Sequence, residues 1–167
     1  MDSSVILDAS AFYSGIPFLG SSKCYTTSNV YNEIKHIKRS FSALEALIDA
    51  GNLQIKEPTG KYMDEARRAA EKSGDLAKMS DADLSIIALA FELRDSSPII
   101  ITDDYAIANV AELSGIRVSY VMSKGITKVG TWIRYCSACG IVYRKNERQC
   151  AICGNRLRSR LRPSQKH

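Results

Sequence analysis

PIIITDD, residues 98–104, decides the fold. Three isoleucines and a threonine in a row are β-branched and stiff at χ1, which suits a strand. No polar residue alternates with them, so both faces of the strand are apolar. That is the pattern of an interior strand in a parallel sheet covered by helices on both sides. The run ends abruptly in Asp103 and Asp104. SVILDASAFY (4–13) has the same form: an apolar run, VIL, closed by Asp8.

Between and beyond these two runs, strand and helix patterns alternate. KCYTT (23–27) reads as a short strand. Ser28 is placed to cap a helix carrying Val30, Ile34, Ile37 and Phe41 at helical spacing. A further helix covers about 40–50 and stops at Gly51, and NLQIKEP is a strand ending before Pro58. Residues 61–74 form a polar helix closed by Gly74, and Ser80 opens a strongly apolar helix running to Leu93. Tyr105 to Ser114 is helical with Gly115 as its stop, and IRVSYVM (116–122) is the last strand. The expectation is a three-layer α/β domain with a parallel sheet over residues 1–122.

The remainder of the chain has different chemistry. Residues 1–123 carry 12 Lys+Arg against 17 Asp+Glu, whereas 124–167 carry 11 Lys+Arg and only Glu147. Four of the five cysteines fall there as two Cys-x-x-Cys-Gly pairs: Cys136 and Cys139, then Cys150 and Cys153. Two such knuckles place four thiolates around one tetrahedral ion, usually Zn²⁺, and the closing glycines permit the tight turns. A disulfide suits this spacing less well, and a rubredoxin-like iron site fits poorly with the short gap and basic surroundings. The expected division is a connector at 123–133, a zinc ribbon at 134–156 and a basic, disordered tail at 157–167. No apolar run approaches the roughly 18 residues of a membrane span, and no secretory signal opens the chain, so a cytoplasmic protein with no membrane partner is expected. The basic module points to a polyanion, most often nucleic acid.

In an open parallel sheet, ligands bind beyond the carboxyl ends of the strands. Asp8, Asp103 and Asp104 stand at two such ends. Glu33 lies beside the apolar stripe of its helix, and Asp83 sits near the start of the apolar helix. Each acid has a plain alternative. Asp8 caps a turn, Asp83 closes a capping box with Ser80, Asp103 or Asp104 caps the next helix, and Glu33 is solvated. Asp81 reads as a helix-start charge. Taken together, a cluster of carboxylates without His or Cys suits Mg²⁺ or Mn²⁺ and the chemistry of phosphate esters. Thr102 and Ser80 stand next to the acids as hydroxyls able to orient them. Cys24 reads as a small buried hydrophobe.

VLDASAFY, TTSNVYNEI, SDADLSIIALA and ITDDYAIANVA resemble the four acidic motifs of the PIN-domain nucleases. Together with the GI at 125–126, Trp132 and the two knuckles, the chain resembles one branch of them, the Nin-one-binding family of archaeal and eukaryotic small-subunit rRNA maturation endonucleases. The resemblance spans residues 4 to about 157. It implies a PIN-like domain followed by a zinc ribbon, with Asp8, Glu33, Asp83 and Asp103 as catalytic ligands of Mn²⁺ or Mg²⁺. Asp104 would support the ion or cap the helix, and Cys136, Cys139, Cys150 and Cys153 would hold structural Zn²⁺. It further implies cutting of precursor small-subunit rRNA at its mature 3′ end, on the pre-ribosomal small subunit with its assembly factors, leaving a 3′-hydroxyl and a 5′-phosphate.

On that reading the ribbon holds RNA, with Arg134, Arg144, Lys145, Arg148, Arg156 and Arg158 on phosphates. Tyr135 and Tyr143 either stack on bases or pack inside the ribbon, and Trp132 packs at the junction. Two rivals share the acidic site: a general PIN ribonuclease or toxin, and a non-catalytic RNA-binding assembly factor.

Overall fold

The computed structural model describes residues 4–15, 24–36, 41–122, 125, 126, 128–143 and 147–164. Five short strands form one sheet: β1 (Val5–Leu7), β2 (Cys24–Thr26), β3 (Leu53–Ile55), β4 (Ile99–Ile101) and β5 (Arg117–Ser119). Their order is β3-β2-β1-β4-β5, and every pairing is parallel. Ile6 and Leu7 are neighbours in β1 and so point to opposite faces, yet both are 0 % exposed. Both faces of the sheet are therefore covered, as the unbroken apolar runs predict.

Among the described residues the α-helices that accompany the sheet are α1 (Ala9–Tyr13), α2 (Ser28–Ile34), α3 (Phe41–Asp49), α4 (Gly60–Ser73), α5 (Asp81–Glu92) and α6 (Tyr105–Leu113). The centre of the domain is α5, in which Leu84 to Phe91 are all buried. A helix apolar on every side must be enclosed, and α5 packs against α2, α4, α6, β1 and β4. Ser80 caps it as expected, in a reciprocal capping box with Asp83.

One cap differs from the sequence reading. Thr27, not Ser28, is the N-cap of α2, its hydroxyl accepting from the Val30 N–H. Thr27 is fully buried and its Oγ1 lies 2.7 Å from Ser85 Oγ of α5, so the cap doubles as a tertiary contact. The helix ends at Ile34; Phe41 belongs to α3, and Ile37 lies outside the described residues.

Beyond residue 122 a second, antiparallel sheet forms in the order β7-β6-β8, from β6 (Gly130–Tyr135), β7 (Val142–Tyr143) and β8 (Arg158–Pro163). This corrects the reading of 157–167 as a disordered tail. Gly130↔Pro163 through Tyr135↔Arg158 pair without interruption, and only 165–167 lie outside the described residues. High charge suggested disorder, but RSRLRP alternates. Arg158, Arg160 and Arg162 share one face, and Leu161 on the other is half-buried. Residues 130–133, read as connector, are likewise the first part of β6.

The two sheets are joined through Asn109 of α6, which is 5 % exposed. Its Nδ2 donates to Asp75 Oδ2 at 2.7 Å and to the Gly130 carbonyl at 2.9 Å, while its Oδ1 accepts from the Gly130 N–H at 2.9 Å. Close by, Trp132 lies against Gly74, where a Cβ would stand 2.8 Å from the Trp132 Cβ, so only glycine fits there. Lys78 Nζ sits 3.9 Å from the centroid of the Trp132 ring. Asn109→Ala would leave a buried carboxylate and a buried N–H short of partners, at about 1–3 kcal/mol for each group left unmet. The expected result is a lower urea midpoint with the slope retained; an unchanged midpoint would show that this contact is dispensable.

Candidate active site

Strand β1 is the switch point of the sheet, flanked by β2 on one side and β4 on the other. Because Leu7 pairs with Ile101, the next residues, Asp8 and Thr102, emerge side by side at the carboxyl edge. Thr102 Oγ1 donates to Asp8 Oδ2 at 2.7 Å, and Ser10 Oγ donates to the same oxygen at 3.0 Å. Both hydroxyls then tie in the aspartate pair: Ser10 Oγ accepts from the Asp103 N–H at 3.0 Å, and Thr102 Oγ1 from the Asp104 N–H at 3.0 Å. Asp8 is 6 % exposed and makes no side-chain cap to α1, so the plain reading of this residue is not realised.

The other two acids approach from the helices. Asp83, half-buried, accepts from the Ser80 N–H at 2.7 Å. Its pKa is raised, first by burial and then by the charges of Asp104 and Asp8, against the lowering effect of the Ser80 hydrogen bonds. Glu33 is exposed on α2, and its pKa is raised by partial desolvation and by the charges of Asp83 and Asp8. Thus the charges of Asp8 and Asp104 act on Asp83, and those of Asp83 and Asp8 on Glu33, and like charges gathered in this way favour a divalent cation. The carboxylates are not drawn in as tightly as the thiols. Among the described residues, the group of three or more such side chains drawn close enough to hold an ion is the four cysteines, whose sulfurs all lie within 4.8 Å of one another.

The two aspartates after β4 separate in role. The Asp103 carboxylate accepts from the Val121 N–H at 3.1 Å and the Met122 N–H at 3.0 Å, fastening the chain that leaves β5. Asp104 caps α6 through Oδ1, which accepts from Ala106 and Ile107, and its charge helps to raise the pKa of Asp83. Asp81 is exposed and faces Arg67 at 3.6 Å, a helix-start charge as expected. Sequence reading passed over Ser10, although Asp-x-Ser places a hydroxyl within reach of a carboxylate two residues back.

In the ribbon, each knuckle folds identically. Gly140 N–H donates to the Cys136 carbonyl and Gly154 N–H to the Cys150 carbonyl, with φ of 72° and 69°, a left-handed turn that favours glycine. Tyr143 packs inside, its hydroxyl donating to Cys150 Sγ at 3.1 Å and accepting from the Ala151 N–H at 2.9 Å. That hydroxyl pulls the Cys150 thiol down to about 6. The Cys139 N–H lowers Cys136, while Cys139, donating towards Cys153, is pushed up to about 12. Four adjacent thiols cannot all ionise unaided, and a dication removes the obstacle, so the donor set fits zinc. Tyr135 lies under the Arg160 guanidinium, 4.7 Å from ring centroid to Cζ. Of the expected RNA contacts, Arg156 and Arg158 are exposed, and Arg134 Nη1 donates to the Glu147 carbonyl at 3.3 Å. Arg144 and Lys145 lie outside the described residues.

A five-stranded parallel sheet with acids at its switch point is the architecture of a PIN-type nuclease, and residues 5–93 match the family model described as PIN domain of ribonuclease. Endoribonuclease Nob1 of Methanothermobacter thermautotrophicus is 37 % identical over 91 % of this chain and 90 % of its own. Endoribonuclease Nob1 of Pyrococcus abyssi is 33 % identical over 90 % and 89 %. Ribonuclease VapC1 of Thermoplasma acidophilum is 29 % identical over 92 % and 76 %. The chain belongs to the PIN-domain endoribonucleases, within the Nob1 family. Among the described residues no helix is long and apolar enough to cross a membrane.

Proposed function

We propose that this protein is the endonuclease that cuts precursor small-subunit rRNA to form its mature 3′ end, acting in the cytoplasm on the pre-ribosomal small subunit. The observation carrying this reading is the pairing, in one chain, of an acidic sheet edge with a basic four-cysteine ribbon, together with its Nob1 relatives. The nuclease domain is 1–122. The ribbon, extended by β8, is the RNA holder and offers Arg134, Arg144, Lys145, Arg148, Arg156 and Arg158 to phosphates, joined by Arg160 and Arg162 of β8.

Asp8, Glu33 and Asp83 would hold Mn²⁺ or Mg²⁺, with the fourth carboxylate supplied by the Asp103–Asp104 pair. Such an ion supplies neutralisation of phosphate charge and activation of water. The chain's own residues set the stage for it. Thr102 and Ser10 hold Asp8 in place through Oδ2, and Ser80 fixes Asp83. The Asp103 carboxylate accepts from the Val121 and Met122 N–H groups and so positions the loop after β5, which supports Asp104, at the start of α6, as the fourth ligand.

A short RNA spanning the precursor 3′ end, incubated with Mn²⁺ alongside an unrelated RNA, tests the reading. One specific cut is expected; indiscriminate cutting would support a general ribonuclease instead. In the same assay Asp104→Asn, which keeps the cap of α6, should lower the rate at least about tenfold more than Asp103→Asn, since only the former loses an ion ligand. The reverse ranking would return Asp103 to the ion site.

A further inference from the structure

Where the second sheet meets the nuclease domain lies a cleft of about 360 Å³ lined by Lys78, Tyr105, Ile126, Lys128, Trp132 and Leu161. It is separate from the acid cluster but begins one residue from it, because Asp104 caps α6 and Tyr105 is the first residue of that helix. Tyr105 is 61 % exposed, too far from the core to be explained by packing, and Trp132 keeps 36 % of its surface open. Lys78 and Lys128 bring two ammonium groups to the same cleft. Among the described residues lining it, the single carboxylate is Asp75. That group is 2 % exposed and already engaged by Ser73, Asn109 and, at 3.9 Å, Lys78. With Asp75 set against Lys78, the cleft combines aromatic surface with one ammonium group, that of Lys128, in excess of its carboxylate.

Aromatic faces accept bases of any identity, and ammonium groups hold the backbone phosphate. The volume is at the lower end of ligand sites, which start at about 300 Å³, and it is suited to one nucleotide. We propose that this cleft is a nucleotide subsite. One unpaired nucleotide of the RNA strand adjoining the scissile bond stacks on Tyr105 beside the Trp132 wall, with its phosphate between Lys78 and Lys128. The inference rests on the RNA-cutting reading above and deepens it. Ile126, Lys128, Trp132 and Leu161 all come from beyond the nuclease domain, so the subsite exists only while the β6–β8 sheet is docked through Asn109.

Trp132 is the single tryptophan of the chain, so its emission reports on this cleft directly. The full chain with zinc in place, and with no Mn²⁺ or Mg²⁺ added, would be titrated with a short single-stranded oligoribonucleotide. Saturable quenching of Trp132 is expected. Tyr105→Ala, at an exposed position that tolerates truncation, should weaken binding about tenfold, the scale of one lost base stack. Lys128→Ala should reduce the salt slope by about one. The proposal is overturned if the oligonucleotide does not bind, or if it binds with Trp132 emission unmoved, or if Tyr105→Ala binds as well as wild type. The two readings fail separately. A protein that quenches but cuts nothing with Mn²⁺ keeps the subsite and loses the nuclease, and one that cuts specifically without quenching does the opposite.

Discussion

Asp8→Asn is expected to abolish RNA cutting, lowering the rate by at least about 10²-fold, while RNA affinity stays nearly unchanged. The magnitude follows from the several kcal/mol that a metal ion contributes to stabilising transition-state charge, at about 1.4 kcal/mol per tenfold. The selectivity follows from the geometry. Both hydrogen bonds to Asp8 reach the same oxygen, Oδ2, from Thr102 and Ser10. An asparagine carbonyl can accept both, so the fold is kept and only charge is lost. Asp8 also raises the pKa of Glu33 and of Asp83 by repulsion, so without an added cation the variant should melt no earlier than wild type. Adding Mn²⁺ should raise the melting temperature of wild type, through binding to the native state alone, and leave the variant unmoved. A variant that cuts RNA at the wild-type rate would remove Asp8 from the site.

Cys150→Ser is the second large effect. Cys150 is 3 % exposed and lies at the centre of the small second core with Cys136, Leu157 and Tyr143. That core is too small to hold a fold unaided; structural zinc supplies on the order of 10–16 kcal/mol in comparable modules. The variant should bind no stoichiometric zinc and lose the β6–β8 sheet, exposing Trp132 to water with a red-shifted emission. RNA affinity should fall at least tenfold and its salt slope by several units, since the net positive charge of the chain lies in residues 124–167, with 11 Lys+Arg against Glu147. The acidic edge, built on β1 and β4, contains none of these cysteines and should still support weak, unspecific cutting. Full zinc content, or an unaltered salt slope, would show that the ribbon is neither a Cys₄ site nor the RNA holder.

The features legible in the sequence were those with a period or a spacing. VIL and III announced covered parallel strands because a two-sided apolar strand has no polar alternation. Asp8 and Thr102 could be placed together once their strands were paired. The knuckles declared themselves through the Cys-x-x-Cys-Gly spacing, and the capping box through Ser80 and Asp83. What escaped was whatever depended on register or on distant packing. Asp103 and Asp104 are adjacent in sequence and chemically identical. Their roles separate only because the backbone after β5 comes within reach of Asp103. Asn109 looked like one polar residue in an apolar helix; its partners, Asp75 and Gly130, lie 34 and 21 residues away in the chain. Arg160 and Arg162 counted as part of a disordered basic tail until a partner strand gave the alternation of β8 a meaning.

Strand β8 also sets an order of events in protein synthesis. Domains tend to fold as they emerge, N-terminal parts first, and every strand of the parallel sheet precedes residue 120. The four clustered cysteines are complete at Cys153, yet β6 acquires its longer partner only when Arg158–Pro163 has been made. A growing chain therefore has its nuclease fold well before the strand that completes the second sheet. Loss of a few residues around 158–163, by premature termination or by a protease, would spare every acid and every cysteine while opening the edge of β6 to other chains.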